Sequence, residues 1–262
     1  MGFKKEVSCR MMHLLRKIIS AIKPKPQVFV VKGCFSPWYN SKYLRDYYVT
    51  NIDESIPCQA TVTCKNVDNM NYMFGHCTDL TSVDLSNFDT SKVTNMWGMF
   101  NGCRRLTALE VSGFDTSNVL NMGFMFDSCY SLTTLDLSNF NTSKVSNMAW
   151  MFGSCYNLTS LDLSNFDTSN VKNMEGMFCR CCSLTELDVS NFDTSSVWDM
   201  RWMFYNCPRL TTIKGVIDME SCKWCNDMFK NCPKLKDVKI KNPPSGFEIN
   251  ACISKSQYTI VS

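Results

Sequence analysis

A 26-residue repeat constrains the fold of this chain more than any other feature. Methionines recur at this spacing, and Met-Phe pairs, cysteines and leucines follow the same step until a final step of 25. The repeat methionines are Met70, Met96, Met122, Met148, Met174 and Met200. The ladder cysteines are Cys77, Cys103, Cys129, Cys155, Cys181, Cys207 and Cys232. A unit this short cannot bury its own apolar stripe, so the units must stack on one another as a solenoid.

Each unit has two halves with different apolar periods. From Asn147 to Leu158 the apolar residues are spaced by three and four, which is typical of a short helix or helical turn. From Leu161 to Phe166 they alternate, which predicts a short strand with Leu161 and Leu163 directed inward. The pattern L-x-x-L-x-L is that of leucine-rich repeats. The sequence therefore predicts an α/β solenoid, leucine-rich-repeat-like, of about seven coils. Short parallel strands are expected on one face and short helices or helical turns on the other.

The full unit reads N-M-x-x-M-F-x-x-C-x-x-L-T-x-L-D-L-S-N-F-D-T-S and covers residues 68 to about 241. It closely resembles the BspA-like leucine-rich repeat surface proteins of bacteria, and similar repeats occur in viral and protist proteins. The resemblance implies a non-catalytic recognition or adhesion role at a cell surface or on a virion. It implies no cofactor.

Outside the repeat the chain divides into three further parts. Residues 1–26 form a basic segment with an amphipathic pattern, and residues 27–67 are expected to form an N-terminal cap. The solenoid follows at 68–241, and a C-terminal cap or tail is expected at 242–262. The cap contains strand-like runs at 27–31, 47–52 and 59–64, and a closing strand is expected at 258–261. Arg16-Lys17 interrupts any secretory signal, and no L-P-x-T-G sorting motif follows the repeats. The basic segment is compatible with docking to a membrane surface or to a protein.

The cysteines first suggest a disulfide or metal framework, but their register favours packing. Seven of the 16 belong to the ladder, where a small apolar thiol completes the buried stripe, although stacked thiols also make a disulfide conceivable. Cys179/Cys182 and Cys222/Cys225 have the CxxC spacing of zinc ligands. Cys222 and Cys225 occupy core positions of the repeat, whereas Cys179 and Cys182 are expected at exposed ones. No metal site is therefore predicted.

The outward side of the strands is the first candidate surface for a partner. One acidic residue per coil is expected to point outward beside inward leucines, with serine and threonine around it. These residues are Asp84, Glu110, Asp136, Asp162 and Asp188, and Lys214 and Lys239 follow them. Such a row could form a polar groove for a basic partner, a glycan or calcium, or it could be a solvated face that prevents edge aggregation. A second acidic row with Asp-Thr-Ser signatures is interpreted as structural turns.

Aromatic residues at variable positions of the repeat are the second candidate surface. Two residues after the repeat methionine stand Phe124, Trp150 and Trp202, and after the ladder cysteine stand Tyr130 and Tyr156. Phe124 should lie beside Trp150, and Tyr130 beside Tyr156, on adjacent coils. They could form a partner or sugar surface or shield the convex side. The row of asparagines that precedes the methionines is expected to cap turns or to bond backbone between coils, and Asp199 to keep that role.

Composition excludes several other functions. The chain has two histidines, His13 and His76, and no nucleophile–base pair or phosphate-binding glycine loop, so no catalytic residue is predicted. The net charge of +3 argues against nucleic-acid binding. The leading hypothesis is a non-enzymatic module that binds a protein or glycan on another surface. The alternative is a phage or virion structural or receptor-binding component attached by residues 1–26, and an intracellular scaffold is a third option.

Overall fold

The computed structural model describes residues 47–48, 59–64 and 67–262, and these form a parallel stack of coils. The elements in chain order are β1 (Tyr47–Tyr48), β2 (Gln59–Cys64), β3 (Ser82–Phe88), β4 (Glu186–Asp188), β5 (Thr212–Lys214), β6 (Val216–Asp218), β7 (Val238–Lys241), α1 (Phe247–Ala251) and β8 (Tyr258–Ile260). The predictions for residues 1–26 and for the strand at 27–31 lie outside the described residues. None of the described helices is long and apolar enough to cross a membrane.

The strands pair mostly in parallel, as the repeat predicts, but the strand expected from Leu161 to Phe166 is absent, since no strand is assigned between β3 and β4. β2 pairs with β3, β4 with β5, and β6, β7 and β8 form a third parallel group, while β1 runs antiparallel to β2. The predicted strand at 59–64 is confirmed as β2, and the closing strand is confirmed as β8. Leu187 and Ile213 are paired neighbours of β4 and β5 and point into the core.

A second parallel ladder connects the coils at the asparagine that precedes each repeat methionine. Single bridges join seven equivalent positions, namely Asn69, Asn95, Asn121, Asn147, Asn173, Asp199 and Trp224. The Oδ1 atom of Asn147 accepts a 3.0 Å hydrogen bond from the Ala149 N–H, and Asp199 accepts one of 3.1 Å from the Arg201 N–H. The predicted capping role of this row, including its retention by Asp199, is confirmed.

A series of turns connects the methionine and the cysteine of each unit. The expectation of a short helix there is therefore wrong, and the alternative of turns applies. The N–H groups of Phe124 and Phe126 bond to carbonyls of the next coil at 2.7 and 2.9 Å, whereas that of Met125 bonds to Met122 in its own coil at 3.2 Å. An α-helix would satisfy all these N–H groups within one segment. Among the described residues, α1 is the single α-helix, and it follows the repeats.

The core is a set of identical side chains stacked along the solenoid. Phenylalanine rings of successive coils are nearly parallel, with 5.9 Å between the centroids of Phe100 and Phe126 and 5.8 Å between those of Phe126 and Phe152. Leu163 is buried as predicted, while Leu161 is only partly buried against the core. Because each coil covers the apolar stripe of its neighbour, stability depends on the contact between coils.

The ladder cysteines are buried and form no disulfide, which confirms the packing interpretation. Each of those from Cys103 onward donates a hydrogen bond to the phenylalanine carbonyl of the preceding coil, as Cys155 does to Phe126 at 3.2 Å. Burial raises the pKa of the Cys155 thiol well above its usual value. Cys179 and Cys182 were both expected at exposed positions, but Cys179 is buried and Cys182 is half-buried. The backbone of Cys179 is bonded within its own coil to Gly176 and across to Ser154 of the preceding coil, so this residue lies between packed coils.

Candidate recognition surface

The predicted acidic residues of the strand side form one exposed row, here called the strand-face acid row. Asp84, Glu110, Asp136, Asp162 and Asp188 all lie at the surface. Each carboxylate accepts a hydrogen bond from the backbone N–H two residues later, with distances of 2.8 to 3.0 Å. These short local bonds fix each carboxylate beside the backbone of its own coil and explain the serine at the following outward position.

Local hydrogen bonds keep the strand-face acid row ionised. The Ser164 N–H and hydroxyl lower the pKa of Asp162 although Asp136 and Asp188 on the flanking coils act to raise it. The Ser190 hydroxyl and N–H lower the pKa of Asp188, and the Lys214 charge acts in the same direction. The pKa values of Asp84, Glu110 and Asp136 are also lowered by the serine two residues on. The row is therefore a line of negative charge at neutral pH, and it ends where Lys214 pairs with Glu186 at 3.3 Å.

The second acidic row is a set of turns, as predicted. The Oδ1 atoms of Asp89, Asp115, Asn141, Asp167 and Asp193 accept hydrogen bonds from the N–H groups of the serines two residues later. The next residue in each turn is a buried threonine whose hydroxyl bonds to the following coil. Asparagine at position 141 makes the same contact as aspartate, so this row requires the acceptor oxygen and not the charge.

Phe124, Trp150 and Trp202 lie half-buried in the left-handed backbone conformation, with φ between 56° and 57°. The Phe124 and Trp150 rings stack with 6.0 Å between centroids, which confirms that they are neighbours, and the Trp150 and Trp202 rings are 6.2 Å apart. Trp150 reaches Trp202 across a coil that carries Gly176 at this position. The three residues are called the aromatic row below.

Two residues that the sequence reasoning missed extend the aromatic row toward the N-terminus. Trp97 contacts Tyr72 at 4.8 Å and Phe124 at 5.5 Å between ring centroids, both edge to face. Trp97 occupies the repeat position next to the aromatic one, and the Tyr72 ring fills the space beside Gly98, where a Cβ atom would lie 2.6 Å from Tyr72 Cε1. Gly98 was the available signal for Tyr72, since its small size leaves room for a large side chain on the preceding coil.

The aromatic row ends at an ion pair that the sequence reasoning also missed. The Arg201 guanidinium bonds to the buried Asp199 carboxylate at 2.6 Å and to Glu175 at 3.3 Å, and it lies 5.5 Å from the ring centroids of both Trp202 and Trp224. Trp224 is 44% exposed. The sequence signal for this ion pair was the replacement of the repeat asparagine by Asp199 together with an arginine two residues later.

Tyr130 and Tyr156 are also neighbours, as predicted. Their rings stack with 4.7 Å between centroids and an angle of 14° between planes. The Arg104 guanidinium covers Tyr130 at 5.3 Å from the ring centroid. The two tyrosines are half-exposed and lie apart in the repeat from the residues of the aromatic row. The structure thus brings the ten predicted residues together in three rows and not in one pocket.

The described residues give the cysteine pairs no metal-binding geometry. Cys225 is buried, and Cys222 packs partly buried against the core, as their register predicted. No group of three or more histidine, cysteine, aspartate or glutamate residues that could hold a metal ion occurs within the described part of the chain. The described histidine, His76, stacks on Tyr72 with 5.8 Å between ring centroids.

Comparison with solved structures finds leucine-rich repeat proteins. A leucine-rich repeat protein of Treponema pallidum is 17% identical, and the match covers 76% of this chain and 90% of that chain with a TM-score of 0.43. One from Bacteroides ovatus is 12% identical, with 89% and 99% covered and a TM-score of 0.30. No curated protein matches the chain.

Comparison with protein families gives a match that spans most of the chain. The model of one family, described as Mycoplasma protein of unknown function, DUF285, matches residues 49–158 and 129–242. The two matches overlap and leave no gap between them. Because they together take in about three quarters of the 262 residues, the chain belongs to the DUF285 family.

Proposed function

We propose that the protein is a non-enzymatic recognition module that binds a partner on another surface through its solenoid. The observation that carries this proposal is the strand-face acid row, in which five exposed carboxylates are held in the ionised form at one position of successive coils. The charge of Asp136 acts to raise the pKa of Glu110, and the charges of Asp136 and Asp188 act to raise the pKa of Asp162, so these carboxylates repel one another unless a cation or a basic surface lies opposite them. A basic protein surface is the partner that this row fits best.

The resemblance of the repeat to BspA-like surface proteins supports adhesion as the context of this binding. The aromatic row supports it too, because half-exposed tryptophan and phenylalanine side chains are common at the centres of protein interfaces. The virion alternative depends on residues 1–26, which lie outside the described residues. The binding experiment therefore uses the full chain, so that this segment is present in every sample.

Two sets of isosteric substitutions test the proposal. The first set is Asp136→Asn, Asp162→Asn and Asp188→Asn in the strand-face acid row, and the second is Asp115→Asn, Asp167→Asn and Asp193→Asn in the turn row. Both sets remove three negative charges and retain the oxygen that accepts the serine N–H. Asn141 shows that the turn row accepts this change. The readout is the binding of fluorescently labelled protein to cultured cells and to immobilised poly-L-lysine.

We expect the first set to weaken binding to both targets by at least about tenfold, as loss of close complementary charge pairs does. The second set should leave binding within about twofold of the wild type. Equal losses in both sets would mean that only net charge matters, and unchanged binding in the first set would exclude the strand-face acid row as the contact surface.

A further inference from the structure

The stack of tyrosine rings is interrupted after Tyr156. The position that follows the ladder cysteine carries Arg104, Tyr130 and Tyr156 in three successive coils, and their side chains stack in that order. The next coil has Cys182 at this position and the one after it has Pro208. Because a thiol is much smaller than a phenol ring, the stack ends in a space that one further ring could fill.

A cavity of about 350 Å³ that is largely open to the surface occupies this space. It is lined by Tyr156, Arg180, Cys182, Tyr205 and Asn206. Tyr130 covers one face of the Tyr156 ring, so the opposite face borders the cavity. The volume is near the lower end of the range for small-molecule pockets, which suits one ring with its substituents.

Arg180 supplies a positive charge at the edge of the cavity. Its side chain is exposed, and its backbone N–H bonds to the Tyr205 carbonyl at 2.7 Å, which fixes the residue at φ 60°. No carboxylate of the described residues lies within 4.0 Å of its guanidinium. The carboxylate of Asp127 interacts electrostatically with Arg180 without forming an ion pair within 4.0 Å, and it accepts hydrogen bonds from Asn101 at 2.7 Å and from Ser128 at 3.1 Å. The guanidinium is therefore available to an external anion.

The lining groups fit an acidic sugar better than they fit an aromatic anion. The guanidinium matches the geometry of a carboxylate or sulfate group. The open face of Tyr156 can pack against the C–H face of a sugar ring. The amide of Asn206 and the hydroxyl of Tyr205 provide donors and acceptors for sugar hydroxyls, which an aromatic ring would leave unmatched. A neighbouring cavity of about 400 Å³ shares Asn206 and continues past Asn231 and Gln257, with room for the adjoining sugar units.

We propose that the Arg180 cavity binds an acidic sugar residue of a glycan, with its ring on Tyr156 and its anionic group on Arg180. This inference rests on the proposed recognition function and assigns a ligand class to a site separate from the strand-face acid row. A basic protein can then contact the strand side while an acidic glycan occupies the cavity.

Monosaccharides added to the full chain test this assignment. Residues 1–60 contain ten lysines and arginines against four acids, so a long polyanion would bind there as well. The probes are N-acetylneuraminic acid and glucuronic acid for the carboxylate, N-acetylglucosamine 6-sulfate for the sulfate, galactose as the neutral control, and tri-glutamate as an acidic peptide. Ligand-observed NMR gives the dissociation constants. We expect at least one acidic sugar to bind and galactose to bind at least tenfold more weakly.

Three variants locate the site. Arg180→Asn removes the charge with a residue type that occurs at the equivalent positions 206 and 231, and it should weaken binding by at least about tenfold. Cys182→Tyr should abolish binding by filling the cavity with the next ring of the stack, while circular dichroism shows an intact fold. Arg105→Gln removes the same charge at an exposed position that lines neither cavity, and binding should be unchanged.

The inference is overturned if galactose binds as well as the acidic sugars, or if Arg180→Asn binds the acidic sugars like the wild type. It is also overturned if tri-glutamate alone binds in an Arg180-dependent manner, because this would identify an acidic peptide as the occupant. Cell binding of the strand-face acid row variants is measured on the same samples. If no acidic sugar binds in an Arg180-dependent manner while the acid row variants lose cell binding, the glycan site alone is refuted. If an acidic sugar does bind in that manner while the acid row variants bind cells like the wild type, the proposed function alone is refuted.

Discussion

The hydroxyl of Thr142 and the backbone of Asp167 form a reciprocal pair of hydrogen bonds between consecutive coils. Thr142 Oγ1 donates to the Asp167 carbonyl at 2.8 Å and accepts from the Asp167 N–H at 2.9 Å. Thr90 and Thr116 make the same pair with the next coil. Because Thr142 is 1% exposed, no water competes for these bonds, and each hydroxyl satisfies two backbone groups that would otherwise be buried without partners.

Replacement of Thr142 by valine should therefore destabilise the solenoid strongly for a change of nearly equal volume. Thr142→Val leaves both backbone groups of Asp167 unpaired, and we expect a loss of about 2–4 kcal/mol in the free energy of unfolding, measured by urea titration. Thr142→Ser keeps the hydroxyl and should lose about 1 kcal/mol. Thr134→Val, at an exposed position, is the control and should change little. Equal losses for valine and serine at position 142 would show that the methyl group, and not the hydroxyl, matters.

Gly176 provides the space that the Trp150 ring occupies. A Cβ atom at Gly176 would lie 2.5 Å from Trp150 Cε2, and the backbone there has φ of 59°. The equivalent positions 124 and 150 hold aromatic residues at the same φ, so the close contact and not the conformation alone requires glycine. We expect Gly176→Ala to lower the free energy of unfolding by about 2 kcal/mol and to alter tryptophan fluorescence.

Gly113→Ala is the matched control for this change. Nothing lies within 4 Å of a Cβ atom at Gly113, and its φ is outside the left-handed region. It should be neutral or slightly stabilising, because alanine restricts the unfolded chain. If both alanine variants were equally stable, the contact between Gly176 and Trp150 would have no energetic role.

The register of the repeat made many contacts predictable from the sequence. Residues 26 apart must occupy equivalent places on adjacent coils, so the contact between Tyr130 and Tyr156 and the burial of the ladder cysteines followed from counting alone. The alternation around Leu163 likewise gave the direction of Asp162. These predictions needed the periodicity and a parallel stack, and nothing about the detailed path of the chain.

The path of the chain between Met148 and Cys155 was not predictable in the same way. Apolar spacing of three and four is satisfied by an α-helix and equally by successive turns with bonds from residue i to residue i−3. The turns prevail because Trp150 and Ser154 adopt positive φ and alternate N–H groups bond to the next coil. The same turns bury Cys179 and expose Arg180, so the cavity could not be located before the backbone was known.

Asp199 introduces a buried negative charge where the preceding coils have a neutral asparagine, and we expect the ion pair with Arg201 to compensate for this charge. Asp199 is 1% exposed and accepts the same turn hydrogen bond as the asparagines of the preceding coils, but its charge needs the guanidinium at 2.6 Å. Arg201→Met keeps the apolar stem and removes the charge, and we expect a loss of about 2 kcal/mol because a buried carboxylate is left unpaired.

A double-mutant cycle measures this dependence. Asp199→Asn restores the residue of the other coils and should change the free energy of unfolding by less than about 1 kcal/mol, since the amide oxygen keeps the turn hydrogen bond. The double variant should recover most of the stability lost by Arg201→Met, giving a coupling of about 1–2 kcal/mol. Additive effects in the cycle would show that Arg201 acts through its contacts with Trp202 and Trp224 and not through Asp199.

Asp127 should make the stability of the solenoid rise as the pH falls from neutrality. Burial raises the pKa of Asp127 to about 6 from the ordinary 3.8, even though Ser128 and Asn101 donate hydrogen bonds to it. Its charged form is thus disfavoured in the folded state, and this cost is fully present above pH 6 and fades as the pH falls toward 4. Between pH 7.5 and 5 the free energy of unfolding should gain about 1 kcal/mol from this group.

Asp127→Asn should remove that gain and be more stable than the wild type at pH 7.5 by about 1–2 kcal/mol, because the amide oxygen still accepts from Asn101 without the buried charge. Asp162→Asn is the control: Ser164 lowers the pKa of Asp162, so this carboxylate does not titrate between pH 7.5 and 5, and the variant should keep the pH dependence of the wild type in that range. Urea titrations at pH 5, 6 and 7.5 distinguish the two. An unchanged slope between pH 7.5 and 5 in Asp127→Asn would assign the pH dependence to another group.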